Sequence, residues 1–252
     1  SVCCHCCRYL APIDSDQLRQ DEAMRYICGI LLAAGQSKRM GKANKLLMPA
    51  DSSGEPMISR IAKTMLASEL DEVMVILGHD ANHIAAALSD MPLDLHEYSD
   101  YAEGMSGSIR HGLGQMNARA TDAMIMLGDM PNITAPLIND LINSHKRLPE
   151  ADEAITLPLI TGPLITEPMR EEPIKEEPMI AGRTAHPVIW GQRFFPLLEH
   201  IRGDKGGRDI IKKHPEAINP LAINDSRCFL DADTPDDLKN IVDNCTWQTA
   251  IK

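Results

Sequence analysis

The chain alternates short apolar runs with stretches of helical spacing. YICGILLAA, from Tyr26 to Ala34, has the length of a buried strand and stops at Gly35. PMISRIAKTMLASEL repeats its apolar positions at helical intervals, and EVMVILG, residues 72 to 78, has the continuous apolar character of a strand covered on both faces. HIAAAL predicts a helix, LDLHEY a short strand and SGSIRHGLGQM a helix. AMIMLGD, residues 123 to 129, predicts a further strand that ends on an acid. The pattern resumes with HPVIWG at residues 186 to 191, helical segments near 192 to 200 and 206 to 213, and a last element that begins at DADTPDDLKNIV. Strands alternating with helices predict one Rossmann-like α/β domain, a three-layer sandwich around a mostly parallel sheet. Ligands of such sheets collect at the carboxyl ends of the strands, where Gly35, Gly78 and Asp129 fall.

Two stretches stand outside this rhythm. Residues 1 to 25 read as a polar N-terminal tail, leaving 26 to 252 for the domain. From Pro158 to Gly182 no regular structure is expected. TEPMR, EEPIK and EEPMI are tandem five-residue units with a proline in each, which predicts a flexible acidic arm over about 161 to 182.

The formal net charge of −11 excludes a general binder of nucleic acid polymers, which needs a basic face. An anionic ligand must therefore be met by a local positive site. No run of about 18 apolar residues occurs, and the N-terminus places Cys, His and Arg where a signal peptide has its apolar core, so no membrane association and a cytoplasmic location are expected. Four of the seven cysteines form CCHCC at residues 3 to 7, and the others are scattered at Cys28, Cys228 and Cys245. That usage suits a reducing compartment. CCHCC has the donors for zinc or another thiophilic metal but no second cluster to close the site.

The local positive site follows the first strand. Gly35, Ser37, Lys38, Arg39, Gly41, Lys42 and Lys45 fall within eleven residues of an otherwise acidic chain. Glycines let backbone N–H groups approach phosphate oxygens, and the cations add charge-assisted hydrogen bonds. A solvated basic turn is the plainer alternative. The loop is not a P-loop, because five residues separate Gly35 from Gly41 and Ala43 stands where a magnesium-binding hydroxyl belongs. It also lacks the G-x-G-x-x-G spacing of dinucleotide sites.

Asp129 closes an apolar strand and offers a hard oxygen ligand for magnesium, or alternatively a turn or cap. Near the C-terminus, Thr234 and Pro235 start a helix that assigns Asp236 and Asp237 to capping, which leaves Asp231 and Asp233 as metal candidates. Gly104, Ser106, Gly107 and Ser108 lead into a helix, either as a plain N-terminus or as a grip on a base or ribose.

LAAGQSKRMG with NKLL, followed in order by DYAEGMSGSIRHGL, LGDMP, HPVIWG, GDKGGR and DADTPDDL, resembles the MobA-like nucleotidyltransferases. The order of motifs is that of the molybdenum cofactor cytidylyltransferase branch. The resemblance implies that CMP is transferred from CTP to molybdenum-bound molybdopterin, with Mg²⁺ as cofactor and pyrophosphate as the released product. A molybdenum enzyme or its maturation factor would take the product. On this resemblance Ala33, Ala34, Gly35, Ser37 and Arg39 cradle the triphosphate, Lys45 offsets charge on the α-phosphate, and Gly104 and Ser108 lie near the nucleotide. Arg39, Lys45 and Asp129 would be catalytic, Asp129 and Asp233 would hold the metal, and His186, Asp204 and Gly206 would border the acceptor. Ala185 departs from the family pattern, which carries glycine before HPV. Transfer from another NTP, transfer to another small phosphorylated acceptor, and a nonenzymatic molybdenum cofactor carrier or maturation protein are the alternatives.

Overall fold

The protein is described by a computed structural model over residues 25–36, 44–161, 183–204 and 206–230. The CCHCC tail, Ser37 to Ala43 with Arg39, the tandem proline arm, Lys205 and the DADTPDDL segment with Asp231 and Asp233 lie outside the described residues.

The strands are β1 (Ile27–Ala33), β2 (Glu72–Leu77), β3 (Asp94–Glu97), β4 (Asp122–Leu127), β5 (Ile155–Ile160), β6 (Arg183–Thr184), β7 (Val188–Gly191) and β8 (Ile218–Ile223). Between them run helices α1 (Met57–Leu66), α2 (Ala81–Leu88), α3 (Met105–Gln115), α4 (Ala135–Lys146), α5 (Phe195–Leu198) and α6 (Arg208–Lys213). The sheet order is β3-β2-β1-β4-β7-β5-β6, with β8 against β5. Pairs β1–β2, β1–β4, β2–β3 and β5–β8 are parallel, whereas β7 runs antiparallel to β4 and β5. The expected mostly parallel α/β sheet is therefore present, with a mixed half.

Strand alternation explains why the central runs are apolar throughout. In β1, Ile27, Leu31 and Ala33 join the core beneath α1, α2 and α4, while Cys28, Ile30 and Leu32 join the core beneath α3, α5 and α6. Val73, Val75 and Leu77 of β2 take the first face, and Met74 and Ile76 the second. A strand covered on both sides has no position left for a polar residue.

The expectation that regular structure ends at Pro158 is corrected. Pro158 lies inside β5, whose partner on one side changes from β7 at Ile155 and Thr156 to β6 at Leu159 and Ile160. The carbonyl of Pro158 accepts from Ala185 N at 3.2 Å on that side. Because N–H and C=O of one strand residue point the same way, the donor that proline lacks faces the gap between β6 and β7.

Candidate active site

The parallel strands end at one edge, and the residues that follow them build the site. Ala33 and Ala34 are buried at the end of β1. The Ala34 carbonyl accepts from His79 N at 3.4 Å, holding the β1 and β2 loops together. A Cβ at Gly35 would meet nothing within 4 Å among the described residues, so packing does not require glycine there.

A turn of 3₁₀ helix, Lys45–Leu47, brings the chain back from the basic loop. Asn44 starts it, and its side-chain oxygen accepts from Leu46 N at 3.1 Å. The turn projects Lys45 across the sheet edge, where its Nζ donates to Asp129 Oδ2 at 2.7 Å. The two side chains are 14% and 20% exposed, and this partial desolvation strengthens the attraction between them. The second carboxylate oxygen, Asp129 Oδ1, is buried and has no hydrogen-bond partner among the described residues. An orphaned, charged oxygen at a strand end fits a hard divalent cation. No group of three or more His, Cys, Asp or Glu suited to a metal occurs among the described residues.

His186 enters the same edge from the antiparallel side, because β7 pairs with β4 in the register Ile125 to Val188. Its Nδ1 lies 3.4 Å from the Ile125 carbonyl. Burial pushes the imidazole below its ordinary pKa, with the Ile125 carbonyl and Asp129 opposing that shift and Arg208 adding to it. The neutral ring that results must donate from Nδ1 to the carbonyl, leaving Nε2 as an acceptor.

The first turn of α3 closes the edge. Gly104 has φ +92° and ψ −174°, a conformation open to glycine alone. Met105 N donates to Asp204 Oδ1 at 3.2 Å, and Ser106 N donates to the Gly203 carbonyl at 3.0 Å. Gly206 sits against Met105, where a Cβ would come within 3.1 Å of its sulfur. Ser108 is buried inside the helix turn, and the Ser106 hydroxyl is buried without a hydrogen-bond partner among the described residues. Asp204 and Gly206 therefore lie on the wall that carries Gly104.

Two residues that sequence inspection passed over also belong here. Asn44 fixes the turn that aims Lys45, and its position ahead of KLL was the available signal. Asn132, nearly fully buried three residues after Asp129, donates from Nδ2 to the Arg227 carbonyl at 3.2 Å. It ties the loop after β4 to the segment that precedes Asp231. No local pattern marks it.

At the opposite end of the sheet lies a second, unrelated cluster. Asp122 and His145 are both 0% exposed and meet at 3.0 Å between Oδ1 and Nε2. His145 Nδ1 faces Thr156 Oγ1 at 2.7 Å, and Arg25 donates to both oxygens of Asp122 at 2.9 Å. An acid, a histidine and a hydroxyl are aligned, but with no exposed surface they cross-link β4, α4 and β5 rather than meet a substrate.

No helix among the described residues is long and apolar enough to cross a membrane. Residues 29–218 match the family described as the MobA-like NTP transferase domain. The chain is similar to nicotine blue oxidoreductase of Paenarthrobacter nicotinovorans, at 23% identity over 88% of this chain and 99% of that protein. It is also similar to the purine catabolism protein PucB of Bacillus subtilis (strain 168), at 27% identity over 84% of this chain and 94% of that protein. Among solved structures, Rv0371c of Mycobacterium tuberculosis H37Rv in complex with manganese shares the fold, with a TM-score of 0.66 and 22% identity over 87% of this chain and 99% of that one. The chain belongs to the MobA-like NTP transferase family.

Proposed function

We propose that the protein is a magnesium-dependent cytidylyltransferase that moves CMP from CTP to the phosphate of molybdenum-bearing molybdopterin. An acceptor phosphate oxygen attacks the α-phosphorus of CTP, and the bond to the β-phosphate oxygen breaks with its electron pair leaving on pyrophosphate. The observation that carries this proposal is the Lys45–Asp129 pair at 2.7 Å, with Asp129 Oδ1 buried and unpartnered, at the edge where ligands of parallel sheets bind.

Such a transfer is catalysed by positioning and by electrostatic stabilisation of charge that develops at phosphorus. Lys45 is held at the sheet edge by the Asn44-capped turn, so it meets the α-phosphate without reorganising. Ala33, Ala34 and Gly35 present backbone where the triphosphate lies, and Ser37 and Arg39 add its remaining partners. Asp129, with Asp233, would hold Mg²⁺, which would supply positive charge across the phosphates. His186 lines the acceptor side with a neutral ring, which suits an uncharged donor or acceptor on the pterin more than a phosphate. The cytoplasm, where thiols are reduced, is the compartment that the cysteine usage supports.

The names of the two relatives designate an oxidoreductase and a purine catabolism protein, and no common acceptor follows from them. The choice of CTP and molybdopterin rests instead on the order of motifs from LAAGQSKRMG to DADTPDDL. A carrier that only delivers the cofactor has no use for a lysine held against a carboxylate whose second oxygen is left unpartnered among the described residues, which favours the enzyme. The test is thermal denaturation with each NTP and Mg²⁺. Selective binding of the native state raises the melting temperature by mass action, so CTP is expected to give the largest rise. An equal response to all four NTPs would remove the cytidylyl assignment, and no response to any would remove the transferase.

A further inference from the structure

We infer that Asp204 is a positioning residue that latches the 201–204 loop onto the first turn of α3, fixing the nucleotide wall and closing that helix end to phosphate. The inference rests on the nucleotidyltransferase proposal for what the wall binds, and on the hydrogen bonds between the two segments for the latch itself.

Three contacts make the latch. Asp204 Oδ1 accepts from Met105 N, the Gly203 carbonyl accepts from Ser106 N, and Arg110, one turn further along α3, donates to the Ile201 carbonyl at 2.7 Å. Arg110 also reaches back to Glu103 at 2.7 Å, and Glu103 accepts from the Tyr98 hydroxyl at 2.8 Å. The loop before α3, the helix and the 201–204 loop are thereby joined as one unit. Glycine is required at the contact. A Cβ on Gly104 would come within 2.1 Å of Asp204 Oδ1, and a Cβ on Gly207 would meet the Trp190 ring at 2.4 Å.

The chemistry of the latch settles a division of labour. A helix N-terminus has orphan N–H groups and a positive dipole end, and it is a ready anion site when those groups are free. Here the chain's own carboxylate and carbonyl occupy the amides of Met105 and Ser106. A second anion would meet an acid, so the triphosphate is directed to the basic loop and the α3 wall is left for the uncharged ribose and base. Asp204 acts through α3, and its chemistry is that of an N–H acceptor.

Asp204→Asn keeps an oxygen that accepts from Met105 N, whereas Asp204→Ala removes it. Amide hydrogen exchange over residues 105–108, measured on the full chain without nucleotide, should speed up about fivefold to tenfold in Asp204→Ala and stay near wild type in Asp204→Asn. In steady-state transfer, Asp204→Ala should raise KM for the NTP about tenfold with kcat changed less than about threefold, and Asp204→Asn should restore KM. Unchanged exchange in Asp204→Ala would overturn the latch. Equal loss of kcat in the alanine and asparagine variants, with exchange protected in the latter, would overturn the positioning role and make the charge itself essential. If wild type transfers from no NTP, the exchange arm still decides the latch and the wall's ligand is overturned separately.

Discussion

Lys45 and Asp129, which lie 84 positions apart in sequence, are joined at 2.7 Å across the sheet edge. The pair connects the loop after β1 to the end of β4, so the residue that would meet the α-phosphate and the residue that would hold the metal are set by one contact. Lys45→Ala and Asp129→Ala are each expected to lower kcat by about 100-fold or more, as removal of a preorganised electrostatic partner does. Far-UV circular dichroism should show an unchanged fold. Turnover within threefold of wild type in either variant would contradict this role.

Gly104 is expected to tolerate no side chain. Gly104→Ala places a β-branchless residue at φ +92° and drives its Cβ to 2.1 Å from Asp204 Oδ1, so a loss of about 1–3 kcal/mol is expected. Urea denaturation measures it. A variant as stable as wild type would show that the 203–204 loop yields freely.

The Asp122–His145 pair should affect stability and leave chemistry alone. Asp122→Ala leaves His145 Nε2 buried without its partner, while Arg25 keeps Asp152 at 3.5 Å, and losing one member of such a buried cluster costs about 3–5 kcal/mol. Activity per folded molecule should not change, since the cluster is at the opposite end of β4 from Asp129. A drop in kcat with unaltered stability would reverse that division.

His111 packs on Tyr98 with ring centroids 5.0 Å apart, and its Nε2 is buried without a hydrogen-bond partner among the described residues. Burial pushes its pKa below the ordinary 6.5, and His96 pushes it further the same way. The folded state therefore binds the proton less readily than the unfolded chain. Stability from this group is complete above about pH 6.5 and is lost as pH falls from there through the folded-state value. His111→Phe keeps the stack and removes the titration, so its stability should fall less than that of wild type between pH 7.5 and pH 5. Identical losses in denaturant titrations at the two pH values would exclude His111 as a contributor.

Much of the fold could be read from the chain, for a physical reason. β1, β2 and β4 are buried on both faces and had to be continuous apolar runs, and the site residues follow them directly. What escaped depends on tertiary partners. β5 carries Pro158, an element breaker unless a gap in the neighbouring strands receives it. β8, INPLAI, is half-buried and interrupted by Pro220, so it lacks a strong period. α4 carries a local signal of its own, with Thr134 accepting from Leu137 N and Pro136 in the first turn. Within the site, Gly35, Lys45 and Asp129 were legible as a basic loop and a strand-end acid. Their contact was not, and neither was the capture of the Met105 amide by Asp204, since both join residues more than eighty positions apart.

The most direct test of the proposed activity is pyrophosphate release, measured with each of the four NTPs, Mg²⁺ and an acceptor bearing molybdenum-bound molybdopterin. Release is expected with CTP, dependent on the acceptor, abolished by EDTA and restored by Mg²⁺. No release from any NTP in the presence of that acceptor would contradict it.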